Sequence, residues 1–291
     1  DLYKFTISLP NDSTTLYYNI LAVDNSSNWA KTGEISADIK DDQSPMINIT
    51  TEEVPTTGDQ FNITANISDN IEVKSAWLEF DIISKKGDHY NSNLTLNESP
   101  YYLVIEIPSD SIKINYTISA VDNSRNWNSS SRYEIEIIDN DPPQISVNMN
   151  TDAVTGEEYI FNITIDENIY LDQVNTDYWT DVTSKRKLSL NNDHENFYVN
   201  NIILPINSQK LSYNFTAIDS SGNINRTKIY QKDILDKIPP NIISINVSPD
   251  PSFVYLDTNF SCKLSDNINI SNTYIAIISP DDELIDNYSM T

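Results

Sequence analysis

Hydrophobic and polar residues alternate along most of the chain, a pattern that predicts half-buried β-strands. The alternation is clearest in a strand that recurs three times and ends on alanine. Its members are Tyr18, Ile20 and Ala22; Tyr116, Ile118 and Ala120; and Tyr213, Phe215 and Ala217. A second recurrent strand holds Phe61, Ile63 and Ala65; Phe161, Ile163 and Ile165; and Phe260, Cys262 and Leu264. We interpret Cys262, the single cysteine, as a small buried hydrophobic residue rather than a reactive thiol.

Each copy of the first strand runs into the same short phrase, Ala-Val/Ile-Asp followed by Ser- and Asn-rich residues. Its aspartates, Asp24, Asp122 and Asp219, stand 98 and 97 residues apart. A fixed period of this length indicates a tandem array of one repeated domain. Short strands separated by Asn, Asp, Ser and Pro, without sustained helical periodicity, predict an all-β sandwich of about seven strands per repeat.

Segments rich in Asp and Pro mark the predicted domain boundaries, at residues 41–45, 139–143 and 236–240. Proline fixes φ and lacks an N–H donor, so these segments suit stiff links rather than central strands. The predicted domains are the closing half of a repeat at 1–43, complete repeats at 44–141 and 142–238, and the opening half of a repeat at 239–291. Since both ends fall out of phase with the boundaries, we interpret the chain as a segment of a longer periodic protein.

Charge narrows the range of partners. The 291 residues include 43 acidic and 18 basic side chains, giving a net charge of -25. This acidity excludes nucleic acid or an anionic membrane as the main partner and favours cations. No apolar run is long enough to predict a membrane span in this segment.

The recurrent phrase, Tyr-x-Ile-x-Ala-Val-Asp-x-Ser-x-Asn, and the boundary Asp-x-x-Pro-Pro resemble the immunoglobulin-like tandem repeats of bacterial and archaeal cell-surface proteins, of surface-layer or adhesin type. The resemblance implies tandem immunoglobulin-like β-sandwich domains of about 97 residues joined by short Asp/Pro linkers. It also implies an extracellular location at the cell surface or envelope. Locally, the boundary Asp139-Asn140-Asp141-Pro142 resembles the calcium-binding linker of cadherin repeats.

In a sandwich of this kind, the entering linker and the loops after the second and sixth strands converge on one end of the domain. The first junction then gathers Asp41, Asp42, Asp69, Asn70 and Asp122. The second gathers Asp139, Asp141, Asp166, Glu167 and Asp219. Calcium binds six to eight oxygen ligands, so we predict calcium at these junctions. The alternative is that Asp and Asn serve only as turn residues.

The third junction is a poorer candidate. It retains Asp236 and Asp266 but has Lys237 and Ile238 where acidic residues stand at the other junctions. A cationic side chain beside the carboxylates opposes binding of a second cation. We therefore predict weaker calcium binding there.

Asparagine is abundant, with 37 residues, of which 16 open an Asn-x-Ser/Thr sequon. The candidates we single out for N-glycosylation are Asn48, Asn62, Asn66, Asn115, Asn162, Asn214 and Asn246. Alternating polar residues on strands account for part of this excess. Trp29 and Trp127 follow the recurrent phrase and either cap the end of the sandwich or present an exposed aromatic to a sugar or a neighbouring domain.

The sequence contains no Gly-x-Ser-x-Gly elbow, no phosphate-binding glycine loop and no His-Glu-x-x-His motif, so we predict that this segment is not an enzyme. We predict a structural repeat segment of a surface layer, sheath or filament, a rigid rod stiffened by calcium and N-glycosylated. The composition suits an archaeal surface glycoprotein. Expected partners are neighbouring copies or further repeats, and glycans or surface proteins. The alternatives are an adhesin stalk or carbohydrate- or protein-binding module, and the accessory domains of a secreted enzyme.

Overall fold

The computed structural model describes residues 2–97, 100–147, 149, 151–278, 281 and 284–290. The chain forms two compact units, Asp1–Asp141 and Pro142–Thr291. The regular elements of the described residues are all β-strands, which confirms the predicted all-β class. Among the residues that the structure describes, no helix has the length and hydrophobicity needed to span a membrane.

The first unit begins with four short strands that form two separate two-stranded sheets. Their bounds are β1, Thr15–Tyr18; β2, Leu21–Val23; β3, Trp29–Lys31; and β4, Ile35–Asp38. Strand β1 pairs with β4, and β2 pairs with β3. These strands carry the first copies of the recurrent strand and phrase.

The remainder of the first unit is a complete sandwich of two sheets. Its strands are β5, Met46–Ile49; β6, Gln60–Ser68; β7, Val73–Ser84; β8, His89–Thr95; β9, Tyr101–Glu106; β10, Ser111–Asp122; β11, Trp127–Ser129; and β12, Tyr133–Glu136. One sheet has the order β5-β6-β9. The other has the order β11-β10-β7-β8, with β12 also paired to β10. This arrangement is an immunoglobulin-like sandwich.

The second unit opens with a sandwich of the same design. Its strands are β13, Gln144–Val147; β14, Ala153–Val154; β15, Glu158–Asp166; β16, Leu171–Thr180; β17, Arg186–Ser189; β18, Asn191–His194; β19, Phe197–Ile203; β20, Lys210–Asp219; β21, Ile224–Arg226; and β22, Tyr230–Leu235. The sheets have the orders β13-β15-β19-β18 and β14-β22-β20-β16-β17, with β21 also paired to β20. The first strand of the sandwich changes sheets, because β13 pairs with β15 while β14 runs parallel to β22.

The second unit ends with four strands that again form two two-stranded sheets. They are β23, Asn241–Ser248; β24, Asn259–Ser265; β25, Thr273–Ile278; and β26, Leu284–Met290. Strand β23 pairs with β24, and β25 pairs with β26.

Alternating side chains of the recurrent strands build the two sandwich cores. Tyr116, Ile118 and Ala120 on β10 are buried, as are the equivalent residues of β20. Tyr116 stacks on Tyr133 of β12, with ring centroids 5.3 Å apart, and the equivalent pair in the second unit is stacked in the same way. The core therefore forms on the face that the alternation predicts.

Strand pairing corrects one predicted equivalence. Phe61 lies opposite Ile105, and Tyr159 lies opposite Ile202 at the same place in the second sandwich. Tyr159 rather than Phe161 is thus the counterpart of Phe61, and Phe161 matches Ile63. Both aromatic residues point to the core at alternate positions of the same strand, so the alternation alone could not fix the register.

Candidate metal centre

The recurrent phrase forms a closed turn at the end of β10. Both carboxylate oxygens of Asp122 accept hydrogen bonds from Asn126, Oδ1 from the backbone N–H at 2.8 Å and Oδ2 from the side-chain amide at 2.8 Å. Asp24 with Asn28 and Asp219 with Asn223 make the same two bonds. The phrase is therefore a structural turn in all three copies, and it fixes the position of its aspartate.

The sequence did not predict the role of the asparagine in this turn. The Asn126 amide also donates to the carbonyl oxygen of Asp41, at 3.2 Å, and so connects the turn to the linker that precedes the repeat. The signal was present in the sequence, since an asparagine stands four residues after the aspartate in all three copies.

The linker contributes Asp41, just after β4. Its Oδ1 accepts hydrogen bonds from the backbone N–H of Gln43, at 3.1 Å, and from the Asn70 amide, also at 3.1 Å. These two donors, the backbone N–H first, lower the pKa of the Asp41 carboxyl and hold it ionised. Asn70 also donates to the carbonyl of Asn11, at 2.7 Å, so it connects the repeat to the preceding segment.

The turn after β6 contributes Asp69. Its Oδ1 accepts hydrogen bonds from the backbone N–H of Ile71 at 3.0 Å and from that of Glu72 at 3.2 Å, an Asx turn that fixes the carboxylate. Asp69 and Asn70 are adjacent and only partly exposed.

Asp41, Asp69 and Asp122 converge, because each places a carboxylate oxygen within 4.8 Å of the other two. Asp122 is fully buried and the other two are partly buried. Oδ2 of Asp41, Oδ2 of Asp69 and Oδ1 of Asn70 are buried atoms that accept no hydrogen bond from the described residues. Among the described residues, none of the ion pairs involves Asp41, Asp69 or Asp122.

Such an arrangement fits a hard cation. Buried oxygens normally have hydrogen-bond partners, and three close carboxylates repel one another unless a positive charge lies between them. Carboxylate and amide oxygens are the ligands that calcium prefers. Asp41, Asp69, Asn70 and Asp122 would hold the ion.

Asp42 does not belong to this group. Its side chain is exposed, whereas Asp41 beside it is turned inward by the hydrogen bonds of Gln43 and Asn70. The remaining four residues predicted at the first junction are the ones that the structure brings together.

The residues predicted at the second junction divide between the two units. In the first unit, Thr57 donates hydrogen bonds to Asp139 at 3.2 Å and to Asp141 at 2.9 Å. In the second unit, Glu167 accepts the backbone N–H of Ile169 at 2.9 Å, Asp219 is buried in its turn, and Asp166 is exposed. The backbone N–H of Asp141 donates to Asp139 at 3.2 Å, as that of Gln43 donates to Asp41. The bonds of Glu167 and Asp219 repeat the turn geometry of Asp69 and Asp122.

The third junction reproduces part of the first. The Asn267 amide donates to Asp236 at 3.0 Å and to the carbonyl of Ile206 at 2.6 Å, as Asn70 donates to Asp41 and Asn11. Asn267, with the backbone N–H of Ile238, lowers the pKa of Asp236. Asp266 forms the Asx turn with Ile268 and Asn269.

The candidate glycosylation sites differ in exposure. Asn48, Asn66 and Asn246 are exposed, and Asn62 and Asn162 are partly exposed. Asn115 and Asn214 lie buried on the central strands β10 and β20. A glycan linked to either of these two would have no route to solvent in the folded domain.

Trp29 and Trp127 are exposed, so the predicted capping role is wrong for both. Each lies on the short strand that follows the recurrent turn, β3 or β11. Their rings are presented to solvent rather than packed over the sandwich end.

The chain matches no known protein family, and no curated protein is similar to it in sequence. Among solved structures, it is similar to a tetra-tandem repeat in the extending region of a large adhesion protein, with 14% identity, 95% of this chain and 70% of that chain covered, and a TM-score of 0.43. Fibronectin(III)-like modules of Clostridium thermocellum CbhA share 15% identity over 66% of this chain and 94% of theirs, with a TM-score of 0.23. The FN1–FN3 domains of chicken CNTN1 share 12% identity over 75% of this chain and 77% of theirs, with a TM-score of 0.26. At these identities the similarity concerns the fold alone.

Proposed function

We propose that the chain is a non-catalytic structural segment of an extracellular cell-surface protein, a surface layer, sheath or filament, whose repeats are stiffened by calcium at their junctions. The observation that carries this proposal is the convergence of Asp41, Asp69 and Asp122 at the point where the linker enters the complete repeat.

A cation held by these three carboxylates would restrain the linker. Asp41 belongs to the linker, whereas Asp69 and Asp122 belong to loops of the following sandwich. Hydrogen bonds of Asn70 and Asn126 already connect the same two parts. Calcium would add charge neutralisation to these hydrogen bonds, so rigidity would depend on the ion.

Limited proteolysis tests this role. Lys40 precedes Asp41 and is exposed, and Lys86 lies exposed in the turn between β7 and β8, far in sequence from the site. We expect calcium to slow tryptic cleavage after Lys40 relative to EDTA and to leave cleavage after Lys86 unchanged, because local opening of the linker becomes rarer. Equal rates after Lys40 in both buffers would contradict calcium stiffening.

Glycosylation forms part of the same proposal. The exposed sequons at Asn48, Asn66 and Asn246 could carry glycans without disturbing a core, and the acidity of the chain would keep it soluble at a cell surface. Labelling intact source cells with an antibody raised against this chain tests the location. Staining only after permeabilisation would count against it.

The exposed Trp29 and Trp127 favour a second candidate function, a carbohydrate-binding adhesin stalk. Indole rings presented to solvent stack on sugar faces and change fluorescence when they do so. Titration of the chain with surface oligosaccharides should then quench tryptophan fluorescence, and Trp127→Ala should reduce the change. An unaltered spectrum across the titration would reject this candidate.

A further inference from the structure

The outer face of the sheet that contains β8, β7 and β10 carries a block of polar side chains and one indole. Alternate residues of a strand share a face, so every second residue of β7 points away from the core. The register aligns these residues with their neighbours on β8 and β10 in three rows. The rows are Thr95, Trp77 and Ser119; Asn93, Glu79 and Thr117; and Asn91, Asp81 and Asn115. Along β7 the block is about 13 Å long, since a strand rises about 3.3 Å per residue.

Two of these rows border a cleft of about 200 Å³. Glu79, Asp81, Asn115 and Thr117 line it, together with Arg132, which directly precedes β12. The cleft is smaller than the pockets of about 300–1,000 Å³ that bury drug-sized ligands. It therefore suits one small polar group, with any longer ligand continuing along the outer face of the sheet.

Asn115 lies at the bottom of the cleft with an unsatisfied amide oxygen. The residue is 5% exposed, and its Oδ1 is a buried atom that accepts no hydrogen bond from the described residues. Buried polar atoms normally have a partner, because leaving one without costs free energy. A hydroxyl group bound in the cleft would supply the missing partner.

The charged groups of the cleft are not paired with one another. Among the residues that the structure describes, no ion pair joins Arg132 to Glu79 or Asp81, although all three line the cleft. Nδ1 of His89 lies 2.9 Å from Oδ1 of Asp81, and Glu79 accepts a long hydrogen bond of 3.4 Å from Asn93. A ligand that fits must therefore offer donors to the carboxylates and acceptors to the guanidinium.

We propose that this face of the first complete sandwich binds a neutral oligosaccharide, with one sugar ring in the cleft and the next ring toward Trp77. Hydroxyl groups both donate and accept hydrogen bonds, as the mixed charges of the cleft require. Trp77 is partly exposed two residues from Glu79, so its indole offers a stacking surface. A metal ion would be repelled by Arg132, and an anionic ligand by the two carboxylates.

The rows of hydroxyl and amide groups beyond the cleft favour a chain of sugars over a single small zwitterion. The inference goes beyond the calcium-stiffened role and does not depend on it. The site is also separate from the exposed indole of Trp127.

The equivalent face of the second sandwich engages its own charged and aromatic groups. Asp177, Trp179 and Ser212 occupy the places of Glu79, Asp81 and Asn115. Lys185 pairs with Asp177 at 3.0 Å and lies over the ring of Trp179, 5.5 Å from its centroid. We therefore expect the sugar to bind the first sandwich and not the second.

An array of neutral and charged oligosaccharides, probed with the full chain in EDTA, tests the proposal. We expect binding to neutral glycans, and calorimetric titration with the best of them gives the affinity. Glu79→Gln and Arg132→Ala should each bind about 10- to 100-fold more weakly, because each removes a charged hydrogen-bonding group. Asn115→Ser, which copies the second sandwich, should also bind more weakly and yet keep the native melting temperature, because the lost amide oxygen had no partner.

Asp177→Asn is the matched control, since Asp177 stands at the place of Glu79 in the second sandwich. It should bind the same glycan with native affinity. An array without a neutral glycan bound, binding to charged glycans alone, or equal affinities for the native chain, Glu79→Gln and Arg132→Ala would each overturn the proposal. Affinity lost in Trp127→Ala but kept in both cleft variants would also overturn it, in favour of the second candidate function.

Discussion

Asp122 and Asn126 illustrate how one repeated phrase can be structural and also prepare a binding site. The turn uses one hydrogen bond on each carboxylate oxygen of Asp122, and Arg125 within it adopts a positive φ of 74°. Ser27 and Gly222 hold the same conformation in the other copies, so glycine is favoured but not required there. The sequence identified the aspartate because it recurs. It could not show that the asparagine also connects the turn to the linker.

Removing the Asn126 side chain should destabilise the first unit. Asn126→Ala leaves a carboxylate oxygen of the fully buried Asp122 without its donor and also frees the carbonyl of Asp41, a loss of about 1–3 kcal/mol in the free energy of unfolding. Asn123→Ala is the control in the same turn, because the Asn123 amide bonds only at the surface, to Glu72. It should change stability by less than about 0.5 kcal/mol in urea denaturation. Equal losses for both variants would contradict this role of Asn126.

Exposure at single residues also predicts which sequons carry glycans. In protein isolated from its source, peptide mass spectrometry should find hexose-containing adducts on Asn48, Asn66 or Asn246 and bare peptides at Asn115 and Asn214. The reason is that the latter two are buried on central strands. An intact mass equal to the bare polypeptide would reject glycosylation altogether.

At the scale of elements, alternation predicted the core strands well because half-buried strands expose every second residue to solvent. Three features were not predictable in this way. The first strand of the second sandwich divides between two sheets, the last strand is interrupted between β21 and β22, and Phe61 was aligned two residues out of register. Each depends on pairing between distant strands, which a local pattern does not encode.

The first junction was predicted more completely than these three features, since four of the five residues predicted there converge.

The central strand β10 and its incomplete counterpart offer a matched pair of substitutions. Ile118→Ala removes a fully buried side chain and should cost about 2–5 kcal/mol of unfolding free energy. Ile20→Ala, at the same place in the first segment of the chain, should cost less than about 0.5 kcal/mol, because the Ile20 side chain is exposed. Chemical denaturation followed by tyrosine and tryptophan fluorescence measures both. A loss for Ile20→Ala as large as that for Ile118→Ala would contradict the difference in burial between the two positions.

At the scale of the whole molecule, the first and third junctions share part of their hydrogen bonding. Asp236, Asp266 and Asn267 reproduce at the third junction the hydrogen bonds that Asp41, Asp69 and Asn70 make at the first. The sequence predicted a weaker third site because Lys237 and Ile238 stand where acidic residues stand at the other junctions.

The most direct test of the central claim, a calcium ion held by Asp41, Asp69 and Asp122, is the melting temperature of the full chain and of Asp69→Asn in calcium and in EDTA. The variant retains the Oδ1 that forms the Asx turn and replaces the unpartnered carboxylate oxygen. In EDTA we predict that Asp69→Asn melts higher than the native chain, because one of three repelling charges is gone. In calcium at about 100 times its Kd the native chain should gain about 2.7 kcal/mol and melt higher than the variant. Asp42→Asn, outside the cluster, should have the melting temperature of the native chain in both buffers. A native melting temperature that is the same in calcium and in EDTA would contradict the claim.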